Sequence, residues 1–289
     1  MRVSLFHSPT TIDDAVATAE RARAAGVHRY WVPQVRNADP ISILSVVGRE
    51  VADIRIGTSV VAMQTTLPQI LAQQARTVNQ ISEGRFTLGL GVNHEPVVTA
   101  VWGLEWRKPF THLSEYLDAL LPLLSDQAVS TAGEFVTTHA QIDVPSETPE
   151  VMLAALGPKM LNMAAERTQG TITWMTGPAT IGDHVRPNIG DKDIAAAAAI
   201  WITDEVDARR ATADKILEIY GQLPSYRAMM DREGAKTPGD LVLIGDEATV
   251  RAGAERYREA GTTEIVFNVL GQGDELEAGM AVVESIAAG

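Results

Sequence analysis

The segment from Ile54 to Glu95 constrains the fold more than any other part of the chain. Its first predicted strand, Arg55–Met63, is a nearly continuous run of apolar and small residues. A run without strict alternation is typical of a strand that is covered on both faces, as parallel strands are. Apolar residues at helical spacing then predict a helix over Pro68–Ile81, and a second strand, Phe86–Gly91, follows. The segment therefore predicts an α/β fold with parallel strands.

The same alternation of strand and helix continues along the chain and gives eight βα pairs in total. Between the fourth and fifth pairs, Val129–Thr131 and Phe135–Thr138 flank Gly133-Glu134 and predict a small β-hairpin insertion. The other predicted strands are Arg2–Phe6, Arg29–Val32, Val151–Leu156, Thr171–Met175, Ile194–Ile202 and Glu264–Val269. The first predicted helix begins after Thr11. The other predicted helices are Ile41–Val51, Phe110–Leu124, Pro158–Arg167, Ile181–Ile189, Glu205–Gln222 and Glu275–Ile286.

Eight βα pairs predict a (β/α)8 TIM barrel, with residues 1–289 as a single domain. An open, doubly wound sheet is the alternative, and it predicts a glycine-rich phosphate loop after an early strand. Gly89-Leu90-Gly91 is followed by Val92-Asn93-His94, so the third glycine of that motif is missing, and we favour the barrel. In a barrel, the loops at the carboxyl ends of the strands form the working surface.

Composition excludes several classes of partner. The 37 acidic residues outnumber the 24 Lys and Arg, and the net charge of −13 repels nucleic acid and anionic membrane surfaces. The chain has no cysteine, so disulfides and cysteine nucleophiles are excluded. No signal segment is apparent, and the longest apolar run, Ile194–Ile202, is too short to span about 30 Å of hydrocarbon. We expect a cytoplasmic protein that acts on a small molecule.

Two glycine-containing turns are candidate anion sites. Gly157-Pro158-Lys159 follows a predicted strand and opens a helix, which places free backbone N–H groups and the positive end of a helix dipole at the barrel mouth. Thr176-Gly177-Pro178 repeats this arrangement one βα pair later. Two such turns suit an extended phosphorylated cofactor, although both are also compatible with ordinary strand-to-helix turns.

Two histidines at predicted strand ends are candidate catalytic residues. His94 follows the fourth strand of the barrel and His7 follows the first, so each is placed to donate to a substrate or to a ring oxygen. Each is equally compatible with a loop histidine that has no such role. No histidine pair has metal-ligand spacing, so no metal is predicted. Trp174, near another strand end, fits either the core or a platform for a ring.

A series of motifs, in order along almost the whole chain, resembles the luciferase-like monooxygenase superfamily and within it the oxidoreductases that use the 5-deazaflavin coenzyme F420. The string Ser82-Glu83-Gly84-Arg85-Phe86-Thr87-Leu88-Gly89-Leu90-Gly91 is the most specific of these motifs. The others are Ile56-Gly57-Thr58-Ser59-Val60-Val61, Pro68 with the helix that follows, Trp102-Gly103-Leu104, His112 with Glu115-Tyr116-Leu117, Ala154-Ala155-Leu156-Gly157-Pro158 and Gly245-Asp246.

The resemblance implies an oxidoreductase with a (β/α)8 barrel, a deazaflavin or flavin ring in its mouth, and often a homodimeric assembly. Ser59-Val60 matches the position of a non-proline cis peptide that forms a bulge behind the ring. Asn93 and His94 are then expected near the ring, while Trp174, Met175 and Thr176 are expected on its far side. The expected ribityl and phosphate contacts are Ala155, Leu156, Gly157, Pro158 and Lys159, with Gly177 in the neighbouring turn.

One departure from the family affects the expected chemistry. Many deazaflavin-dependent relatives have an acidic residue and a histidine after the second strand, where this chain has Gln34-Val35. Neither side chain titrates near neutral pH, so oxidation of an alcohol by a base at this site is disfavoured. Reduction of an activated double bond or imine remains open, as do two alternatives: a flavin mononucleotide (FMN)-dependent monooxygenase and a barrel that binds a cofactor without turnover.

Overall fold

The computed structural model describes residues 1–289, and strands alternate with helices along the chain. The strands are β1 (Arg2–Phe6), β2 (Arg29–Val32), β3 (Arg55–Thr58), β4 (Val61–Ala62), β5 (Phe86–Gly91), β6 (Val129–Ala132), β7 (Thr137–Ala140), β8 (Glu150–Ala154), β9 (Gly170–Thr173), β10 (Asp193–Ile202), β11 (Leu243–Gly245) and β12 (Glu264–Val269). The helices are α1 (Ile12–Ala24), α2 (Pro40–Glu50), α3 (Pro68–Ile81), α4 (Pro109–Leu124), α5 (Pro158–Arg167), α6 (Pro178–Thr180), α7 (Arg186–Ile189), α8 (Val206–Ile216), α9 (Glu218–Gln222), α10 (Pro224–Glu233), α11 (Glu247–Glu259) and α12 (Asp274–Ala288). None of the helices combines the length and the apolar character needed to cross a membrane.

The order of strand pairing closes on itself. From β12 the sheet runs through β1, β2, β3, β5, β8 and β9, and β10 pairs with both β9 and β12. These eight parallel strands form a closed barrel, which confirms the predicted fold class. All six residues of β5 are buried, as expected of a strand that is covered on both faces. A separate antiparallel pair, β6 and β7, lies between α4 and β8 in the chain.

Residue contacts divide the chain into two compact units. The terminal unit contains Met1–His7, Glu20–Trp31 and Ala155–Gly289, and the middle unit contains Ser8–Ala19 and Val32–Ala154. The prediction of one domain over residues 1–289 stays a prediction.

A buried carboxylate organises the core of the terminal unit. Glu264, at the start of β12, is fully buried and accepts hydrogen bonds from Ser4 Oγ at 2.7 Å and from Trp31 Nε1 at 2.8 Å. Arg29 donates to its second oxygen at 2.9 Å, so the buried charge is paired. Trp31 is therefore a core residue with a satisfied indole N–H.

The structure corrects several predicted boundaries. The predicted strand Arg55–Met63 is interrupted after Thr58 and continues as β4, because the backbone forms a bulge that an apolar run does not reveal. The predicted helix Glu205–Gln222 is divided at Leu217 into α8 and α9. The strand predicted over Thr171–Met175 ends at Thr173, and the second arm of the hairpin begins at Thr137 rather than at Phe135.

Candidate active site

The bulge after β3 contains the feature expected at Ser59-Val60. The peptide bond between these residues is cis, which confirms the expectation. Ser59 N donates to Val32 O at 2.8 Å, which links the bulge to the end of β2. Beyond the bulge, Val61 resumes parallel pairing, now opposite Leu90 of β5.

Gln34 holds the bulge from the loop after β2. Its backbone N donates to Val60 O at 3.3 Å, and its side-chain Oε1 accepts a hydrogen bond from Ala62 N at 2.9 Å. Gln34 therefore bonds to both the Val60 carbonyl and the Ala62 N–H, the groups on either side of Val61, and links them to the end of β2. The Gln34 side chain therefore has a structural partner that the sequence alone did not indicate.

Gly91 gives the bulge room to pack on the end of β5. A Cβ atom at this position would lie 3.2 Å from Val60 Cγ2 and 3.0 Å from Ala154 Cβ. Both distances are shorter than ordinary van der Waals contact, so a larger residue would displace the Val60 side chain. The glycine at the end of the specific sequence motif thus allows Val60 to approach the strand.

Asn93 and His94 lie in the loop that follows β5. Asn93 N donates to Gln64 Oε1 at 3.5 Å, a long contact, and His94 N donates to Asn93 Oδ1 at 2.7 Å. His94 O accepts from the backbone N–H groups of Val97 and Val98, so His94 begins the helical turn after the loop. Burial lowers the pKa of the His94 imidazole below its ordinary value of 6.5, which keeps the ring neutral at neutral pH.

His7, at the end of β1 in the terminal unit, is held by a tyrosine. Its Nδ1 lies 2.7 Å from the hydroxyl oxygen of Tyr30, which is fully buried, and its backbone N donates to Trp31 O at 2.9 Å. The contact with the buried hydroxyl fixes the orientation of the imidazole ring. His7 is thus a fixed histidine at a strand end, and its catalytic role stays a prediction.

The turn at Gly157 leaves the start of α5 open. Gly157 is the N-cap residue, no side chain caps the helix, and a Cβ atom at Gly157 would meet no other atom within 4 Å. The first N–H groups of such a helix have no partner within the helix and favour an anion. His184 Nε2 lies 2.7 Å from Leu156 O, and this hydrogen bond fixes the backbone that precedes Gly157. The turn predicted to bind phosphate is therefore accessible and polar.

The second predicted anion position is filled by the protein itself. Glu233, at the end of α10, accepts hydrogen bonds from Thr180 N at 2.7 Å and from Ala179 N at 3.3 Å. A Cβ atom at Gly177 would lie only 2.2 Å from the Glu233 carboxyl carbon. The two turns look alike in the sequence, but only the start of α5 is free of an internal carboxylate.

Trp174, Met175 and Thr176 lie in a packed region of the terminal unit. Met175 is 3% exposed and Thr176 is 1% exposed, and the Tyr257 hydroxyl donates to Thr176 O at 2.7 Å. The Trp174 ring packs edge-on against Tyr220 at 5.9 Å between ring centroids. The cavity beside these three residues has a volume of about 10 Å³, which is room for about one water molecule.

The predicted site residues therefore fall into two groups. In the middle unit, Ser59, Val60, Asn93 and His94 follow neighbouring strands. Gln34 links the bulge to the end of β2, and Gln64 contacts the loop after β5. In the terminal unit, His7 follows β1, Ala155–Lys159 follow β8, and Trp174–Gly177 follow β9.

Sequence reasoning missed four contributing residues: Gln64, His184, Glu233 and the amide of Gln34. His184 is buried, and its sequence context gives no sign of its contact with Leu156 O. Glutamine and glutamate are common surface residues, and no local pattern distinguishes those that hydrogen-bond to a distant backbone. For Gln34, the one signal in the sequence was that it differs from the acidic residue expected from the resemblance.

Two relatives of known or assigned class align with most of the chain. A 5,10-methylenetetrahydromethanopterin reductase of Methanolobus tindarius is 26% identical over 80% of this chain and 78% of the relative. A Mycobacterium tuberculosis protein, provisionally named a coenzyme F420-dependent oxidoreductase, is 27% identical over 89% of this chain and 90% of the relative.

The fold is shared with solved structures. The coenzyme F420-dependent tetrahydromethanopterin reductase of Methanopyrus kandleri superposes with a TM-score of 0.83 at 20% identity, covering 98% of this chain and 97% of that one. Residues 2–264 match the sequence profile described as luciferase-like monooxygenase. The chain therefore belongs to the luciferase-like monooxygenase family.

Proposed function

We propose that the protein is a coenzyme F420-dependent oxidoreductase that transfers a hydride between the deazaflavin and a small organic substrate. The observation that carries the proposal is the uncapped start of α5 at Gly157, which suits the phosphate of a cofactor tail. Two relatives that align with most of the chain are a methylenetetrahydromethanopterin reductase and a protein named for coenzyme F420, which favours a deazaflavin over FMN.

The N-terminal turn of α5 would hold the cofactor phosphate. Lys159 is exposed in the first turn of the helix, so its ammonium group adds positive charge beside the helix dipole. Ala155, Leu156, Gly157 and Pro158 form the backbone that leads into this turn. Since Glu233 occupies the start of the next helix, we assign the phosphate to the Gly157 turn.

The middle unit would provide the surface for the ring. Ser59 and Val60 form the bulge, and Asn93 and His94 follow the strand on which Val60 packs. Trp174, Met175 and Thr176 stay as proposed contacts on the far side, although Met175 and Thr176 are only 3% and 1% exposed. Gly177 belongs to the neighbouring turn, which Glu233 occupies.

The bound deazaflavin supplies the redox chemistry, because it carries two electrons as a hydride. The protein positions the substrate, excludes water and handles the proton. His94 is the proposed group for proton transfer, since its lowered pKa keeps the imidazole neutral at neutral pH, so that the ring can accept a proton and, once protonated, pass it on. His7, oriented by Tyr30, is the second candidate.

Titration of the purified protein with F420 and with FMN tests the proposal. Deazaflavin fluorescence should be quenched at a saturable site, and FMN should bind more weakly. Tighter binding of FMN, with oxygen-dependent oxidation of the reduced complex, would favour the monooxygenase alternative. Binding of F420 without single-turnover oxidation by any acceptor tested would favour the non-catalytic alternative.

A further inference from the structure

The side-chain amide of Gln34 has a fixed orientation. Ala62 N is a hydrogen-bond donor, so the atom that lies 2.9 Å from it must be the amide oxygen of Gln34 rather than its nitrogen. The backbone of the same residue is fixed by its hydrogen bond to Val60 O. Both ends of the residue are therefore attached to the bulge.

The nitrogen of this amide remains available as a donor. An amide nitrogen carries two N–H groups, and neither group of Gln34 is hydrogen-bonded within the protein. The side chain is half-buried, and it lies beside the bulge that the proposed function assigns to the ring. Gln34 thus offers a neutral, oriented donor beside the bulge.

We infer that Gln34 Nε2 binds the carbonyl oxygen of the substrate, and that the substrate is an apolar α,β-unsaturated carbonyl compound. This inference rests on the proposed function. An oriented N–H group is most effective where negative charge develops during a reaction. When a hydride adds to the β-carbon of an enone, the negative charge develops on the carbonyl oxygen. Gln34 itself cannot act as the base that oxidation of an alcohol requires, so its N–H groups favour a carbonyl oxygen at this position.

The surrounding loops favour an apolar substrate. Val35, next to Gln34, is 61% exposed, and Val101 and Leu104 in the segment after β5 are 73% and 41% exposed. These aliphatic side chains belong to the same middle unit and follow strands on either side of the bulge. Exposed apolar side chains at the ends of these strands are typical of a binding surface for apolar ligands.

The reaction balances without a further reactant. The carbon–carbon double bond gains a hydride at the β-carbon from the reduced cofactor and a proton at the α-carbon from water, so the substrate is reduced by two electrons. The cofactor is oxidised by the same two electrons. Gln34 neither gains nor loses a proton and acts as a positioning and polarising donor.

Two substitutions separate the donor from the structural contact. Gln34→Glu keeps an oxygen that can accept from Ala62 N but removes both N–H groups, whereas Gln34→Leu removes the donor and the acceptor together. Gln73→Glu, on the exposed surface of α3, is the matched control for the change of charge. The probe is cyclohexenone, with reduced F420 as the hydride source.

We expect Gln34→Glu to lower kcat/KM for cyclohexenone by about 100-fold, the loss typical of an oxyanion donor. F420 affinity should be unchanged in Gln34→Glu and weakened in Gln34→Leu, because only the leucine variant releases Ala62 N. In the complex with oxidised F420, the carbonyl stretch of bound cyclohexenone should lie at lower wavenumber in the wild type than in Gln34→Glu. Gln73→Glu should match the wild type in every measurement.

The outcomes distinguish this inference from the proposed function. Absence of F420 binding by the wild-type protein would overturn the proposed function. Normal F420 binding with no reduction of cyclohexenone would overturn only the substrate class. Equal carbonyl frequencies and equal kcat/KM in the wild type and Gln34→Glu would reduce Gln34 to a structural contact. Equal loss of F420 affinity in both Gln34 variants would show that the amide N–H groups act on the cofactor rather than on the substrate, which would also overturn the inference.

Discussion

Replacement of Gly157 by glutamate tests the proposed phosphate site. Gly157 has a φ angle of −77°, which any residue can adopt, and its Cβ direction is open. The new side chain should therefore be accommodated without strain. At the start of the helix after Gly177, the Glu233 carboxylate accepts hydrogen bonds from two backbone N–H groups of the first turn. The Gly157→Glu carboxylate should occupy the start of α5 in the same way.

The expected loss of affinity follows from charge repulsion and from competition for the N–H groups. Two like charges at about 4 Å repel by about 1 kcal/mol in bulk water and by about 4 kcal/mol at the effective dielectric constant of a protein surface. F420 affinity should therefore fall by between about fivefold and several hundredfold. The free energy of unfolding should be unchanged or higher by up to about 1 kcal/mol, because a carboxylate is favourable at a helix N-terminus.

Fluorescence titration of F420 measures the effect, with Gly157→Gln as the uncharged control of nearly equal size. The glutamine variant should lose less affinity, and the difference between the two variants should shrink at 1 M salt, where the Debye length falls to about 3 Å. Wild-type affinity in the glutamate variant, or equal losses in both variants at all salt concentrations, would refute the assignment of the phosphate to α5.

Three further perturbations test other parts of the site. His94→Ala should lower turnover more than F420 affinity, whereas the same change at the exposed hairpin residue His139 should alter neither; equal effects on turnover and affinity would remove His94 from the proton-transfer role. Burial lowers the His94 pKa below 6.5, so the imidazole binds a proton more readily in the unfolded chain than in the folded one. The free energy of unfolding should therefore be unaffected by His94 above pH 6.5 and should decline as the pH falls below 6.5. Urea unfolding on both sides of that pH should show a smaller decline for His94→Gln, and identical declines would contradict the cause given. Glu233→Ala removes an acceptor for two helix N–H groups and should lower the free energy of unfolding by about 1–2 kcal/mol, and an unchanged value in urea unfolding would show that the cap is not stabilising.

Local signals predicted much of the fold. The bounds of α3, α5 and β12 agree with the structure, because proline at the helix start and continuous apolar runs mark these elements in the sequence. The segment from residue 223 to 263 received no predicted bounds, although it contains α10, β11 and α11. Its helices are polar over most of their surface, so hydrophobic periodicity gave a weak signal there.

The candidate site was predictable only in part. The positions of Ser59-Val60, Asn93 and His94 came from motifs that resemble a known family. Two contacts that the sequence did not reveal join Gln34 to Ala62 beside the bulge and Glu233 to Thr180 at the second turn, across 28 and 53 residues of sequence. Such contacts depend on which strand ends are neighbours in the closed barrel, and no local pattern encodes that information.

The cofactor recovered from the protein tests the central claim most directly. The protein should be expressed in a host that makes both F420 and FMN, purified without added cofactor, and denatured so that the released cofactor can be identified by mass spectrometry. We predict that F420 is recovered from the wild-type protein and is depleted from Gly157→Glu. Recovery of FMN instead of F420, or equal recovery of F420 from both proteins, would contradict the account.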